Sequence, residues 1–313
     1  MAFIKANNND FNFHGRWEET DGGFIGNWCR PYVEFIFKGT DFTVVTAGRN
    51  ADYILTVDGE KYITAEGKAH KLTVLTSEDS SHLIRIYKTT IRTVLQFVGI
   101  ETEGAITKAP NRKEHYLFIG DSLVEAGCGF SAIIPKETDS DYTCIAQGGL
   151  ALCRGRGYYP RPSDRTLEDK REGMEDAFYN MQAPIALGEH TPYDLSKAET
   201  PDYIFISLAT NDMLYTEQNV PGYLESFDLF VGKIRALYPN APIYLPMPFA
   251  DSENGIRRDS FEKAALAAEK KYSDTKFISV RDWDVEISSD NIHPTVKGYA
   301  QYAENLMIAT GIK

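Results

Sequence analysis

The sequence of 313 residues has no excess of positive charge, no long apolar run and few cysteines. Its 33 Lys and Arg stand against 45 Asp and Glu, a formal net charge of −12. Without a long basic run, this balance argues against general binding to nucleic acid or to an anionic membrane surface. No apolar stretch approaches the roughly 20 residues that a membrane-spanning helix needs. We therefore expect neither a nucleic-acid nor a membrane partner.

The N-terminus and the cysteines bear on location and on cofactors. Residues 1–10 are polar and lack the apolar core of a secretory signal. The four cysteines show no CxxC or other metal-site spacing, which favours free thiols in a reducing compartment. HExxH, Walker and GxGxxG motifs are also missing. We expect a cytoplasmic protein that needs no metal and no cofactor.

The first hundred residues have the pattern of β-structure. Short runs rich in Val, Ile, Thr and aromatics recur about every ten residues, the spacing of a sandwich. The predicted strands are Tyr32–Lys38, Phe42–Thr46, Asp52–Val57, Lys61–Thr64, Lys71–Thr76, His82–Tyr87 and Arg92–Val98. This part is predicted to be an antiparallel β-sandwich, jelly-roll-like, over residues 1–108.

The pattern changes after a polar stretch, Glu101–Lys113, that is predicted to be a linker. Apolar strand-like runs then alternate with helical segments, which indicates an α/β domain with a parallel sheet covered on both sides. The predicted strands are His115–Ile119, Tyr142–Ala146, Asp202–Leu208, Pro242–Leu245 and Lys276–Val280; helices are predicted between Pro221 and Pro239 and from Pro294 to Thr310. The α/β domain is assigned to residues 109–313.

Four short segments of this second domain carry the residues that acyl transfer needs. They are Gly120-Asp121-Ser122, Gln147-Gly148-Gly149, Ala209-Thr210-Asn211-Asp212 and Asp290-Asn291-Ile292-His293-Pro294. The first three follow apolar strand-like runs, and ligands of open α/β sheets collect where strands end. Taken singly, each segment also has a plain structural interpretation as a turn, a helix cap or a surface histidine.

Together the segments predict a complete catalytic set. Ser122 is the candidate nucleophile, and His293 is the candidate base, with Asp290 fixing its tautomer. The Ser122 and Gly149 N–H groups and the Asn211 amide are the candidate oxyanion donors. The G-x-S-x-G elbow of ordinary α/β-hydrolases is not met, because Leu123 and Val124 follow the serine.

The order and spacing of these segments resemble the SGNH hydrolases, also called the GDSL family. The resemblance assigns Ser122, Gly149, Asn211 and His293 to the four marker residues and implies a three-layer α/β/α fold. The whole chain is similar to carbohydrate esterase family 2, through Phe13-His14-Gly15-Arg16 and Ala146–Arg154 as well. That similarity implies deacetylation of acetylated oligosaccharides such as xylan or mannan fragments. Ala209, and Asp290 with Ile292, depart from the usual pattern.

Two alternatives stay open at this point. The same fold serves lipid and acyl-thioester hydrolases, and a sugar-binding protein without activity belongs to a different class. A long insertion between Gly149 and Asn211 offers Arg154, Tyr158 and Tyr159 as candidate substrate contacts. The expected partner is an acetylated oligosaccharide substrate.

Overall fold

The computed structural model describes residues 1–47, 52–65, 71–76, 80–89, 91–157, 172–186, 190–212, 219–249 and 256–313. Within them the chain divides into two compact units. One comprises Met1–Asn111 with Ser196–Ala198, and the other comprises Arg112–Leu195 with Glu199–Lys313.

The first unit consists, in its described residues, of ten strands. They are β1 Ala2–Lys5, β2 Asn12–Thr20, β3 Gly23–Lys38, β4 Asp41–Ala47, β5 Tyr53–Val57, β6 Glu60–Ala65, β7 Lys71–Leu75, β8 Ser81–Lys88, β9 Leu95–Thr102 and β10 Ala105–Thr107. The pairs that they form are antiparallel, and the long β3 pairs with β2, β8, β9 and β10. Five of the predicted strands match β4 to β8 within one residue at each end. The predicted strand Tyr32–Lys38 is only the C-terminal part of β3, which begins nine residues earlier. The jelly-roll-like arrangement stays a prediction.

Two predictions for the first unit are wrong. The stretch Glu101–Lys113 is not simply a linker, because β9 ends inside it and β10 adds three residues that pair with β3. The buried Ile106 between two exposed neighbours makes β10 a strand despite its polar surroundings.

The predicted strand Arg92–Val98 begins three residues and ends four residues before β9, Leu95–Thr102. β1 and β2 are absent from the prediction, and the β2–β3 register shifts between His14 and Arg16, where Gly15 has a φ of 86°.

Within its described residues, the second unit contains five parallel strands that match the predicted ones within two residues. They are β11 His115–Gly120, β12 Asp141–Ala146, β13 Tyr203–Ser207, β14 Ile243–Pro246 and β15 Thr275–Ile278. The sheet has the order β15-β14-β13-β11-β12, with each neighbouring pair parallel. The helices are α1 Ser122–Glu125, α2 Phe130–Glu137, α3 Met174–Ala177, α4 Val220–Leu237, α5 Ile256–Lys271 and α6 Val296–Thr310, and a 3-10 turn spans Leu195–Lys197. This is the α/β architecture that the alternating pattern predicts.

Helices cover the sheet, and β11, which lies between β12 and β13, is buried along its whole length. On one face, Phe118 packs against Phe130 of α2, whose ring lies 5.4 Å from that of Tyr302 in α6. The helix predicted between Pro221 and Pro239 is α4, which buries Phe227 and other apolar side chains of one face. None of the helices in the described ranges is both long and apolar enough to cross a membrane.

Candidate active site

Three of the four predicted segments follow neighbouring parallel strands. β11 lies between β12 and β13, and Gly120 is in register with Ala146 on one side and Ser207 on the other. The three strands therefore end at the same level, and the turns after them share one edge of the sheet. This edge brings Ser122, Gly149 and Asn211 to one place although up to ninety residues of sequence separate them.

The turn from β11 into α1 presents Ser122 at its tip. A side chain on Gly120 would clash with Val124, at 2.1 Å from its Cγ2, so only glycine permits the chain to turn this sharply. Asp121 is the N-cap of α1, and its Oδ1 accepts from the Leu123 N–H at 3.1 Å. Ser122 is the first residue of the helix and is partly exposed. Its backbone N–H has no partner within the helix at that position.

A continuous hydrogen-bonded relay links Ser122 to His293 and Asp290. The Ser122 Oγ lies 2.8 Å from His293 Nε2, and His293 Nδ1 lies 2.7 Å from Asp290 Oδ2. An ionised carboxylate can only accept, so Nδ1 carries the hydrogen and Nε2 is left to accept from the serine hydroxyl. The predicted nucleophile, base and acid are thus brought together in the order that proton transfer requires.

The second oxygen of Asp290 organises the loop that carries His293. Asp290 Oδ1 accepts from the backbone N–H groups of Ile292 at 2.8 Å and His293 at 2.9 Å, and from the Ser288 hydroxyl at 2.6 Å. The His293 N–H, the Ser288 hydroxyl and the His293 ring, in that order of size, hold the pKa of Asp290 well below its usual range. Asp290 therefore stays ionised across the neutral and mildly acidic range.

The loop between β15 and α6 is closed by its own backbone. Asn291 sits at its tip with a φ of 58°, a conformation that asparagine tolerates better than most residues. Three hydrogen bonds close the loop: Ser288 N–H to His293 O, Asn291 N–H to Ser288 O, and Thr295 N–H to Glu286 O. Thr295 then caps α6 by accepting from the Gly298 N–H at 3.1 Å. The base is therefore held between a closed loop and a capped helix.

The predicted oxyanion donors lie in the turns after β12 and β13. Leu150 N–H donates to Gln147 O at 3.1 Å, and Gly149 has a φ of 79°, the value for the third residue of a type II turn. The Asn211 amide donates to Leu150 O at 3.0 Å, and its nitrogen lies 3.4 Å from Asp121 Oδ2. Asn211 thus touches both the glycine turn and the turn that carries Ser122.

Two buried carboxylates, Asp121 and Asp212, support this arrangement, and neither is among the site residues predicted from the sequence. Asp212 accepts from the Leu152 N–H at 2.8 Å and the Cys153 N–H at 2.9 Å, which ties the chain after the glycine turn to the end of β13. Burial raises the pKa of Asp212, and burial likewise raises that of Asp121 to about 6. In the sequence, the signal for them is their position: Asp121 directly precedes Ser122, and Asp212 directly follows Asn211.

We expect Asp121→Asn to change the pH dependence of stability. Since the folded-state pKa is raised from 3.8 to about 6, Asp121 favours folding fully below about pH 4 and loses that contribution as the pH rises through 6. The asparagine variant lacks this loss while keeping an N-cap oxygen. Urea unfolding at several pH values should show the variant gaining about 2–3 kcal/mol relative to the native protein between pH 4 and 7. The exposed Asp284→Asn is the matched control, and a constant difference across this range would contradict the expectation.

Of the three predicted substrate contacts, Arg154 is the one that lies within the described residues. Tyr158 and Tyr159 lie outside the described residues. Arg154 has a side chain 63% exposed, and its guanidinium Nε donates to Asp176 at 2.9 Å. Its role in substrate binding stays a prediction.

Around Ser122, the described side chains supply no set of three His, Cys or carboxylate ligands close enough to hold one metal ion.

Comparison with known proteins identifies the family. The GDSL-like Lipase/Acylhydrolase family matches residues 118–301, more than half of the chain and all four predicted segments. The fold and the site define a carboxylic-ester hydrolase. The chain belongs to the GDSL-like lipase/acylhydrolase family, as the resemblance indicated. A search of curated protein sequences gave no match.

Solved structures match over nearly the entire chain. A family two carbohydrate esterase from Cellvibrio japonicus is 16% identical, with 99% of this chain and 96% of that chain covered at a TM-score of 0.79. The family two carbohydrate esterase from Clostridium thermocellum in complex with cellohexaose is 19% identical, with coverages of 96% and 97% and a TM-score of 0.76. An acetyl xylan esterase from the rumen bacterium Butyrivibrio proteoclasticus is 15% identical, with coverages of 99% and 98% and a TM-score of 0.76. At these identities the likeness establishes the fold.

Proposed function

We propose that the protein is a carbohydrate O-acetyl esterase that works through an acyl-enzyme, with Ser122 as nucleophile, His293 as base and Asp290 as the acid that orients it. The observation that carries the proposal is the relay from Asp290 through His293 to Ser122, with distances of 2.7 and 2.8 Å. It ends at a serine flanked by the glycine turn and by Asn211. This is the arrangement that acyl transfer to and from a serine requires.

The first half of the reaction forms the acyl-enzyme. As Ser122 Oγ attacks the acetyl carbonyl carbon, its proton passes to His293 Nε2, and the imidazolium is stabilised by the ionised Asp290. The Ser122 and Gly149 N–H groups and the Asn211 amide donate to the oxyanion that develops on the carbonyl oxygen. The tetrahedral intermediate collapses, the bond to the sugar oxygen breaks, and that oxygen takes the proton from His293.

The second half releases acetate. A water molecule gives a proton to His293 Nε2 while its oxygen attacks the acetyl-Ser122 carbonyl. The same donors hold the second oxyanion, and the proton on His293 returns to Ser122 Oγ as the acyl bond breaks. Acetic acid leaves and gives its remaining proton to solvent, forming acetate. The proton transfer between Ser122 Oγ and His293 Nε2 runs between two groups that are already in hydrogen-bond contact, at 2.8 Å.

The choice of an acetylated carbohydrate as substrate is supported by the fold. The matched esterases share both units of this chain, since 96–99% of it is covered, whereas a lone α/β hydrolase would cover only the second unit. The esterase from Clostridium thermocellum was solved in complex with cellohexaose. The likeness to that relative leads us to propose an oligosaccharide, and not a long-chain lipid, as the substrate of this chain.

A substrate panel tests the proposal. We expect the protein to release acetate from acetylated xylo- or manno-oligosaccharides, observed by mass spectrometry as the stepwise loss of acetyl groups. On 4-nitrophenyl esters, the rate should be highest for acetate and should fall as the acyl chain lengthens. A preference for long acyl chains or for acyl thioesters would contradict the proposal. If neither turnover nor labelling by a fluorophosphonate occurred, the protein would be a sugar-binding protein instead.

A further inference from the structure

Glu125 connects the nucleophile's helix to the glycine turn. It is the last residue of α1 and lies three positions after Ser122, so the two side chains project on the same side of the helix. Its carboxylate Oε2 accepts a hydrogen bond from the Gly148 N–H. Gly148 immediately precedes Gly149, the predicted oxyanion donor.

The glycine turn lies directly on these two side chains. A Cβ on Gly148 would be 3.0 Å from Glu125 Oε2 and 3.4 Å from Ser122 Cβ. The position of the turn relative to the nucleophile is therefore set at this contact. A glycine pair has more backbone freedom than any other sequence, so the turn needs external restraints to hold one geometry.

Two hydrogen bonds restrain the turn from opposite ends. Upstream of the Gly149 N–H, the Gly148 N–H donates to Glu125; downstream, Leu150 O accepts from the Asn211 amide at 3.0 Å. Asn211 belongs to the segment after β13, whereas Glu125 belongs to the helix of Ser122 itself. Glu125 is thus the restraint that fixes the donor relative to the attacking oxygen.

We propose that Glu125 is a positioning residue of this active site: it acts through the Gly148 N–H to keep the Gly149 N–H aligned with the Ser122 oxygen. The proposal rests on the function proposed above and deepens it. What the position requires is a hydrogen-bond acceptor at the right reach, which a glutamine carbonyl supplies as well as a carboxylate. A negative charge is not required, because it would oppose the charge that develops on the oxyanion.

The test compares four variants in steady-state hydrolysis of 4-nitrophenyl acetate. Glu125→Ala removes the acceptor and Glu125→Asp withdraws it by one methylene; both should lower kcat by about 10- to 100-fold with little change in KM, since a misplacement of about 1 Å can cost about 10² in rate. Glu125→Gln should restore most of the lost kcat. Glu137→Ala, an exposed glutamate at the last position of α2, is the matched control and should be silent.

The outcomes separate this inference from the proposed function. If Ser122→Ala retained activity, the proposed function would fail and the role of Glu125 with it. If Ser122→Ala were inactive but Glu125→Ala turned over normally, the positioning role alone would be overturned. It would also be overturned if Glu125→Gln were as slow as Glu125→Ala, or if the loss appeared in KM. A thermal melt of each variant shows whether it is folded. If Glu125→Ala is unstable, the comparison uses Glu125→Asp, which keeps the charge at the end of α1.

Discussion

Replacing Ser122 by alanine is expected to lower kcat on acetyl esters by about 10⁴–10⁶-fold, the scale on which losing a serine nucleophile acts. The Oγ that lies 2.8 Å from His293 Nε2 is the attacking atom, and no covalent intermediate can form without it. Release of 4-nitrophenol measures the rate. Mass spectrometry of the intact protein after brief exposure to a fluorophosphonate should show one adduct on the native chain and none on the variant.

The loss must come from chemistry and not from unfolding. The Ser122 side chain is partly exposed and its backbone is held by the turn around it, so Ser122→Ala should melt cooperatively near the native temperature. Ser289→Ala changes an exposed serine in the loop before His293 and should keep full activity. Substantial turnover by Ser122→Ala would remove the nucleophile from the site, and the donors assigned around it would lose their role.

Most of the candidate site can be predicted from the sequence because its residues lie just after the ends of strands. β11 and β13 are nearly uninterrupted apolar runs and β12 is apolar at its end, so the residue at which each run breaks marks the edge of the sheet. Ser122, Gly149 and Asn211 each follow such a break. The strand order that makes them neighbours, β12-β11-β13, does not follow from any local sequence pattern, and only the structure gives it. His293 was found through its spacing from Asp290.

Other features depend on partners far away in sequence. Glu125 has no local pattern that distinguishes it from any exposed helix residue, because its partner is the N–H of Gly148. Asp212 likewise acts on backbone groups sixty residues earlier. In the first unit, the sequence pattern failed where a strand is very short, as in β10, or shifts register at a glycine, as in β2. Strand pairing defines such elements, and pairing is a non-local property.

The second large effect concerns the base and its acid. His293→Ala should reduce kcat about as much as Ser122→Ala, since both remove the same proton transfer, whereas Asp290→Asn should cost about 10³–10⁴-fold. An asparagine at 290 would present an N–H₂ group toward His293 Nδ1. The ring would then carry its hydrogen on Nε2 and could not accept the serine proton. Steady-state rates of the three variants provide the comparison. If Asp290→Asn were silent, Ser122 and His293 would suffice as a dyad.

Asp290→Ala separates the two tasks of this carboxylate. Oδ2 faces the His293 ring, while Oδ1 accepts from two backbone N–H groups and the Ser288 hydroxyl. Asparagine keeps an oxygen for the second task and alanine keeps neither, so the alanine variant should be less stable than the asparagine variant. The extra loss should be roughly 1 kcal/mol, because 47% of the Asp290 side chain is exposed and water can replace part of what is lost. Urea unfolding of both variants at pH 7 measures it. Equal stabilities would show that the loop holds its shape through its backbone bonds alone, and the whole effect of Asp290 would then lie in the tautomer of His293.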